Sequence, residues 1–231
     1  EAAARDFEQI QGSAPTYVED MRRVFDDKDV HGVVVATPEQ WHGLATVWAC
    51  RAGKDVYCQK PESRTLREGP LMVDAARRYA RVVSGGSQRV LQDYRGAVDK
   101  CWGGEMGTVK SINVNVGPLP RPCNLAGEPI PEGFDWDLWL GPAPWRPYCG
   151  QATGGGAWWH DYEYAIGFIA GWGAHPLDIL QWGYDTHLAG KWEVEGSATI
   201  PTQGRNRVVM KWDVDIRFEN GVKMKFITGG N

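Results

Sequence analysis

Hydrophobic positions in the first third of the chain alternate between two periods. Residues 17–29 put Val18, Met21, Val24 and Phe25 on one helical stripe, and 31–37 (HGVVVAT) follow as a short apolar, β-branched run that predicts a buried strand. A second helix is expected over 40–52 with Leu44, Ala45, Val47 and Trp48 facing inward; Gly53 ends it and 55–58 begin another strand. Thr65 and Glu68 are spaced as a capping box opening a helix through residue 79, with Pro70 early in it, and 81–84 form the next strand, closed by Gly85-Gly86. Strands and helices alternating through short joints predict a parallel sheet with helical crossovers. Residues 1–88 are therefore expected to be Rossmann-like.

After residue 105 the period shortens to two. In 109–116, Ile112, Val114 and Val116 alternate with Ser111, Asn113 and Asn115. In 208–218, Met210, Trp212, Val214, Ile216 and Phe218 alternate with Lys211, Asp213, Asp215 and Arg217. Asn220-Gly221 offers a tight turn with positive φ at both residues, after which Val222, Met224 and Phe226 continue the apolar face. Residues 89–231 are read as an α+β unit with an open, mostly antiparallel sheet, one face packed on helices of the central segment and the other polar and free. The whole is α/β plus α+β, an incomplete parallel sheet followed by that open sheet. Between the alternating strands lies a Pro/Gly/Trp-rich stretch, 117–156, too long to be structureless in a compact domain unless it lines a site.

Composition narrows the functional classes. The chain has 231 residues, 42% of them hydrophobic, enough for packed cores. With 25 Lys+Arg against 29 Asp+Glu the net charge is −4, so no basic stripe is available for a nucleic-acid backbone or an anionic bilayer. No apolar run approaches the roughly 20 residues that span a bilayer. Five cysteines, an odd number without CxxC spacing, encode neither a disulfide framework nor a zinc ribbon, which favours a reduced compartment and no metal. A cytoplasmic location is expected, with export open because any signal would precede Glu1. The 12 Trp residues suit carbohydrate or nucleotide faces.

Four strings, VVVATPEQWH, AGKDVYCQKP, DWDLWLGPAPWRPY and GAHPLDILQW, occur in that order. Together they resemble the Gfo/Idh/MocA family of NAD(P)-dependent sugar and polyol dehydrogenases. Members of that family open with a strand, a GxGxxG turn and a second strand, and end with several more sheet strands. Neither part matches here, so the sequence reads as an internal fragment without the main phosphate cradle, expected to bind cofactor weakly by itself and to show an exposed sheet edge where the first strand belongs.

The resemblance implies that residues 1–88 are a partial Rossmann-like dinucleotide-binding domain and residues 89–231 a partial α+β substrate and oligomerisation domain, and it assigns candidate roles. Lys60 stands before Pro61 at the carboxyl end of a strand, where relatives carry a Glu-Lys-Pro motif beside the nicotinamide. Gln59 replaces the glutamate, and loss of that charge is expected to lower the Lys60 pKa. His175 in GAHPLD matches the family's GxHxxD segment, an imidazole suited to taking a hydroxyl proton. Many members have an Asp four residues earlier, where this chain has Gly171. Asp178, three residues after His175, either shares its groove or is a plain helix carboxylate. Thr37, Pro38, Trp41 and His42 correspond to the cofactor path, with ordinary capping and packing as the alternative for each, most of all for Trp41. Gln88 falls in a Gly-x-Gln-x-Arg segment near the nicotinamide, and Trp145 and Arg146 match a loop that returns to the cofactor, an exposed arginine being the competing view. In GGGAWWHDYEY, Trp158, Trp159, His160 and Tyr162 offer stacking faces with polar tips for a sugar ring, although at least one of the two tryptophans is expected only to pack.

The expected activity is hydride transfer between a sugar, polyol or related secondary alcohol and NAD or NADP, with Lys60, His175 and Asp178 catalytic. The alternatives are an NAD-dependent glycoside hydrolase acting by transient oxidation and a non-catalytic fragment or sensor. The full-length parent is expected to be a homo-oligomer.

Overall fold

The computed structural model describes residues 2–87, 94–117, 125–154, 156–184, 188–204 and 206–229. The boundary expected between residues 88 and 89 and the candidate Gln88 lie outside the described residues.

Two sheets organise the chain. The first has order β1-β2-β3, with β1 Gly32–Val35, β2 Asp55–Gln59 and β3 Val83–Gly86, all parallel. Helix α1 (Ala2–Gln11) and helix α2 (Met21–Asp26) precede it. Helix α2 is shorter than the 17–29 stripe because Asp20 is extended and its side chain accepts from Arg22 N, fixing the start. Helices α3 (Glu39–Arg51) and α4 (Glu68–Arg78) are the crossovers. They bury Ala45, Ala49, Cys50, Met72 and Ala75 against Val35, Val56 and Cys58. The capping box forms as read: Glu68 N donates to Thr65 Oγ1 at 3.3 Å and Thr65 N to Glu68 Oε2 at 3.2 Å. Pro70 falls in the first turn of α4, where a backbone N–H has no intrahelical partner to lose.

Strand β3 lies two residues later than expected and contains Gly85 and Gly86 rather than ending at them. A Cβ at Gly86 would stand 2.9 Å from Gln59 Cα, so glycine suits the place where β3 closes on the end of β2, and Gly85 lies against the Glu62 side chain. Among the described residues β1 pairs with β2 alone, which leaves its other edge open.

After helix α5 (Arg95–Trp102) comes the second sheet, of order β4-β7-β6-β5, with β4 Ser111–Val116, β5 Trp192–Thr199, β6 Lys211–Phe218 and β7 Lys223–Thr228. The β5·β6 and β6·β7 pairs are antiparallel, but β4 runs parallel to β7, so the sheet is mixed. Its alternation is as read: Trp212, Ile216, Phe218, Met224 and Phe226 are buried, packed by Phe168, Ile169, Leu177 and Leu180 of α8 (Phe168–Gly171) and α9 (Ala174–Tyr184). The polar face is self-paired, Lys225 Nζ bridging Asp213 at 2.5 Å and Asp215 at 3.0 Å. The β6–β7 turn differs from the expected pair of left-handed residues. Only Gly221 is left-handed, at φ 86°, because the Asn220 side chain instead accepts from Val222 N and caps the turn. Strands β4 and β6 begin at Ser111 and Lys211, two and three residues later than their alternating runs.

The 117–156 stretch, where described, is mostly packing rather than site. Helix α6 (Trp136–Leu140) buries Trp136 and Leu140 with Tyr148 and Tyr164, and Trp136 stacks on Trp139 at 4.8 Å. Helix α7 (Gly150–Gly154) follows, burying Ala152. The four described cysteines, Cys50, Cys58, Cys101 and Cys149, are free thiols. No described helix is long and apolar enough to cross a membrane.

Candidate active site

The carboxyl ends of β1, β2 and β3 lie along one edge of the first sheet, where ligands of open α/β sheets bind. Thr37, Lys60 and Ser87 stand just beyond these ends. Lys60 reaches across to the second half of the chain, its Nζ donating to Gly171 O at 2.6 Å, with the Trp159 ring centroid 4.8 Å and the Trp172 centroid 5.5 Å away. Burial pulls the Lys60 ammonium below its ordinary pKa, opposed by the charges of Glu39 and Glu62. The expected direction is found, with desolvation as its main cause.

His175 is buried one turn beyond Gly171, and its ring lies 6.0 Å from that of Trp172. Burial and then the Lys60 charge lower its pKa, while Asp178 works in the opposite direction. Asp178 accepts from the Ser87 hydroxyl, tying α9 to the end of β3. The start of α9 is held close to the sheet by Gly173: a Cβ there would overlap the Ile169 carbonyl and meet the Phe226 ring. Lys60 beyond β2 and Trp159 of the 3-10 turn Ala157–His160 thus meet, His175 of α9 feels the Lys60 charge, and Asp178 stands beside His175.

The other candidates are placed differently. Both ring nitrogens of His42 face backbone carbonyls, Pro61 O at 2.8 Å and Thr37 O at 2.7 Å, so this histidine joins the two loops and offers no free nitrogen to a ligand. Trp41 donates to Trp139 O at 3.1 Å and covers Gly141, whose φ of 55° and ψ of −123° suit glycine and whose Cβ would overlap the indole. This is packing, the alternative reading of Trp41. Pro38 caps α3, and the Thr37 hydroxyl is buried with no partner among the described residues. Gln59 folds back, its Oε1 accepting from Lys60 N at 2.8 Å. Trp158 packs into the core beside Tyr164 and Cys149, leaving Trp159 as the tryptophan that meets Lys60. His160 stacks on Phe168 at 5.9 Å, and burial lowers its pKa. Trp145 is exposed; Arg146 is paired with Glu163 at 3.2 Å and lines a hollow of about 650 Å³ with Tyr162 and Arg207. No cluster of three metal-ligating side chains occurs among the described residues.

Glu39 and Trp172 belong to this centre although the sequence does not single them out. Glu39, 1% exposed, accepts from Ile166 N at 3.0 Å, and burial pushes its carboxyl up to about 7 against the charges of Lys60 and Arg64. An acid in the first turn of a helix is the ordinary partner of the helix dipole, so the sequence signal is indistinguishable from capping.

Residues 1–87 match the model of an oxidoreductase family described as an NAD-binding Rossmann fold, and residues 121–231 match that family's C-terminal alpha/beta domain. The chain belongs to the Gfo/Idh/MocA family. This Gfo/Idh/MocA chain is 41% identical over 58 residues to levoglucosan dehydrogenase of Pseudarthrobacter phenanthrenivorans, a match covering 25% of the chain and 15% of that protein. Over 66 residues it is 43% identical to 1,5-anhydro-D-fructose reductase of Ensifer adhaerens, covering 29% and 19% respectively. Among solved structures it resembles an oxidoreductase domain protein from Kribbella flavida, with TM-score 0.69 and 23% identity over 98% of this chain and 55% of that one. It also resembles the WlbA dehydrogenase from Bordetella pertussis in complex with NADH and UDP-GlcNAcA, with TM-score 0.66 and 19% identity over 98% and 60%. The chain therefore spans less than two thirds of these relatives.

Proposed function

We propose that the chain carries the cofactor edge and the proton-transfer groups of an NAD(P)-dependent dehydrogenase acting on a sugar, polyol or related secondary alcohol. The observation that carries this reading is the convergence of Lys60 and His175 at the Gly171 turn, beside the carboxyl ends of three parallel strands. The curated relatives named for levoglucosan and 1,5-anhydro-D-fructose support the substrate class.

The residues present suit a nicotinamide nucleotide. The buried Thr37 hydroxyl has no partner among the described residues, and a donor at this edge matches the polar groups of a ribose or carboxamide. When bound, the cofactor supplies the hydride acceptor. Lys60 holds the substrate hydroxyl by donating from its ammonium. His175, its pKa lowered, is neutral at pH 7 and able to accept the hydroxyl proton as the C–H bond yields its electron pair and the C=O bond forms; the proton then passes to solvent. Trp159 and Trp172 exclude water from the ammonium and offer apolar faces to the substrate ring.

The test follows NAD(P)H absorbance with levoglucosan and other cyclic polyols. Lys60→Ala and His175→Ala should each lower kcat by about 10²–10⁴ with cofactor affinity nearly unchanged, and the double variant should be little worse than the poorer single because both act on one proton. Full turnover in His175→Ala would overturn the assignment of that proton to His175.

A further inference from the structure

The proton-transfer pair leaves one ionisable group of the same cluster without a task. Glu39 is almost wholly buried, yet it is not in an ion pair with a nearby arginine or lysine at contact distance among the described residues. Its Oε2 accepts from Ile166 N, and its Oε1 lies 3.8 Å from the point where a Cβ on residue 171 would stand. That point is also 3.9 Å from the Trp159 ring. Gly171 is the residue whose carbonyl receives the Lys60 ammonium, so the carboxyl and the ammonium approach the same turn. Both distances are ordinary van der Waals contact, so the carboxyl packs directly beside the turn that anchors the ammonium. A buried carboxyl is costly unless something gains from its charge, and the group placed to gain is Lys60.

We propose that Glu39 is a positioning residue for Lys60, its buried carboxyl at the Gly171 turn supplying the counter-charge that governs how readily the lysine gives up its proton. This rests on the role of Lys60 proposed above. Burial raises the Glu39 carboxyl and lowers the Lys60 ammonium, and the charge of each opposes the shift of the other, as counter-charges in a poorly solvated space do. The charged neighbours are accounted for. Arg64 also faces Glu39; Glu62 also faces Lys60; His175 feels Lys60 and Asp178. Glu62 is therefore the competing counter-charge.

The experiment reads Lys60 directly. In this chain, lysines carrying ¹³C-methyl groups are titrated by NMR, with Lys60 assigned from its absence in Lys60→Arg. Glu39→Gln keeps the shape and an acceptor for Ile166 N while removing the charge; Lys60 should then lose its proton at least threefold more readily, a fall of about half a pH unit. Glu39→Asp should restore part of the wild-type titration, and Glu62→Gln should move it less than Glu39→Gln. An unchanged Lys60 titration in folded Glu39→Gln, or a larger effect from Glu62→Gln, would overturn the proposal. Should Glu39→Gln fail to fold, the reciprocal measurement decides: the Glu39 carboxyl, ¹³C-labelled, should titrate higher in Lys60→Met than in wild type, and no movement refutes the coupling. In turnover, Glu39→Gln should displace the pH profile of kcat without altering the KM for cofactor. Loss of the dehydrogenase reading would leave the NMR coupling intact, so the two failures are distinguishable.

Discussion

Glu39 gives the protein a pH dependence opposite in sign to that of a paired surface carboxylate. Its carboxyl ionises near 4.5 in the unfolded chain and near 7 in the folded one. Between those values the folded state holds the proton that the unfolded state has released, so stability falls as pH rises, by about 3 kcal/mol in all. Above pH 7 the full penalty is present; below 4.5 it is absent. Urea midpoints of wild type and Glu39→Gln should therefore diverge between pH 4.5 and 7, the variant gaining relative to wild type as pH increases, and parallel curves would contradict the shift. Individual residues were legible in the sequence to different degrees for physical reasons. Lys60 and His175 are marked only by the resemblance of the strings they stand in, whereas the sequence cannot say that Glu39 turns inward, because its orientation depends on Ile166, 127 positions away. His42 shows the converse: a histidine beside a cofactor edge invites a ligand role until both nitrogens are found on carbonyls.

At the scale of elements, periodicity located the strands of the first sheet and the β6–β7 hairpin, since each buries one face and rejects a register slip. It did not reveal that β4 joins β7 in parallel, because alternation is blind to strand direction. Strand β5 was missed although Trp192, Glu193, Val194 and Glu195 alternate; the pattern dissolves at Gly196, and the whole strand is exposed. The start of α9 was legible only as a string, while its placement depends on Gly173. Gly173→Ala should push α9 away from β7, costing about 1–3 kcal/mol of stability through overpacking. It should also displace His175, so that kcat falls more than KM rises. A melting temperature and kcat both equal to wild type would show that the helix start tolerates the methyl group.

For the whole molecule, the two sheets are joined by a small set of polar contacts from one side. Lys60 bonds Gly171, Arg64 bonds Tyr162 O at 2.7 Å, Gln40 and Trp41 both donate to Trp139 O, and Ser87 bonds Asp178. The seam therefore coincides with the candidate site, and its integrity should be readable in unfolding. Trp41→Phe removes one donor to the Trp139 carbonyl while Gln40 retains the other, so the loss should be about 1–2 kcal/mol, seen as a lower urea midpoint with an unchanged slope. Two separate transitions would mean that the halves unfold independently. The sequence implies two units, but not which side chains stitch them together, because such contacts join residues about a hundred positions apart and leave no period behind.

The bond from Lys60 to Gly171 ends on main chain. An acceptor of that kind has no codon of its own. Random mutation at 171 can crowd it but cannot delete it, and no titration can neutralise it, whereas a side-chain acceptor would be lost in a single nucleotide change. The anchor of the lysine is thus insulated from mutational drift, and variation among descendants of this chain should accumulate around that turn, in the tryptophans and carboxylates that tune the ammonium, sooner than in the contact that holds it.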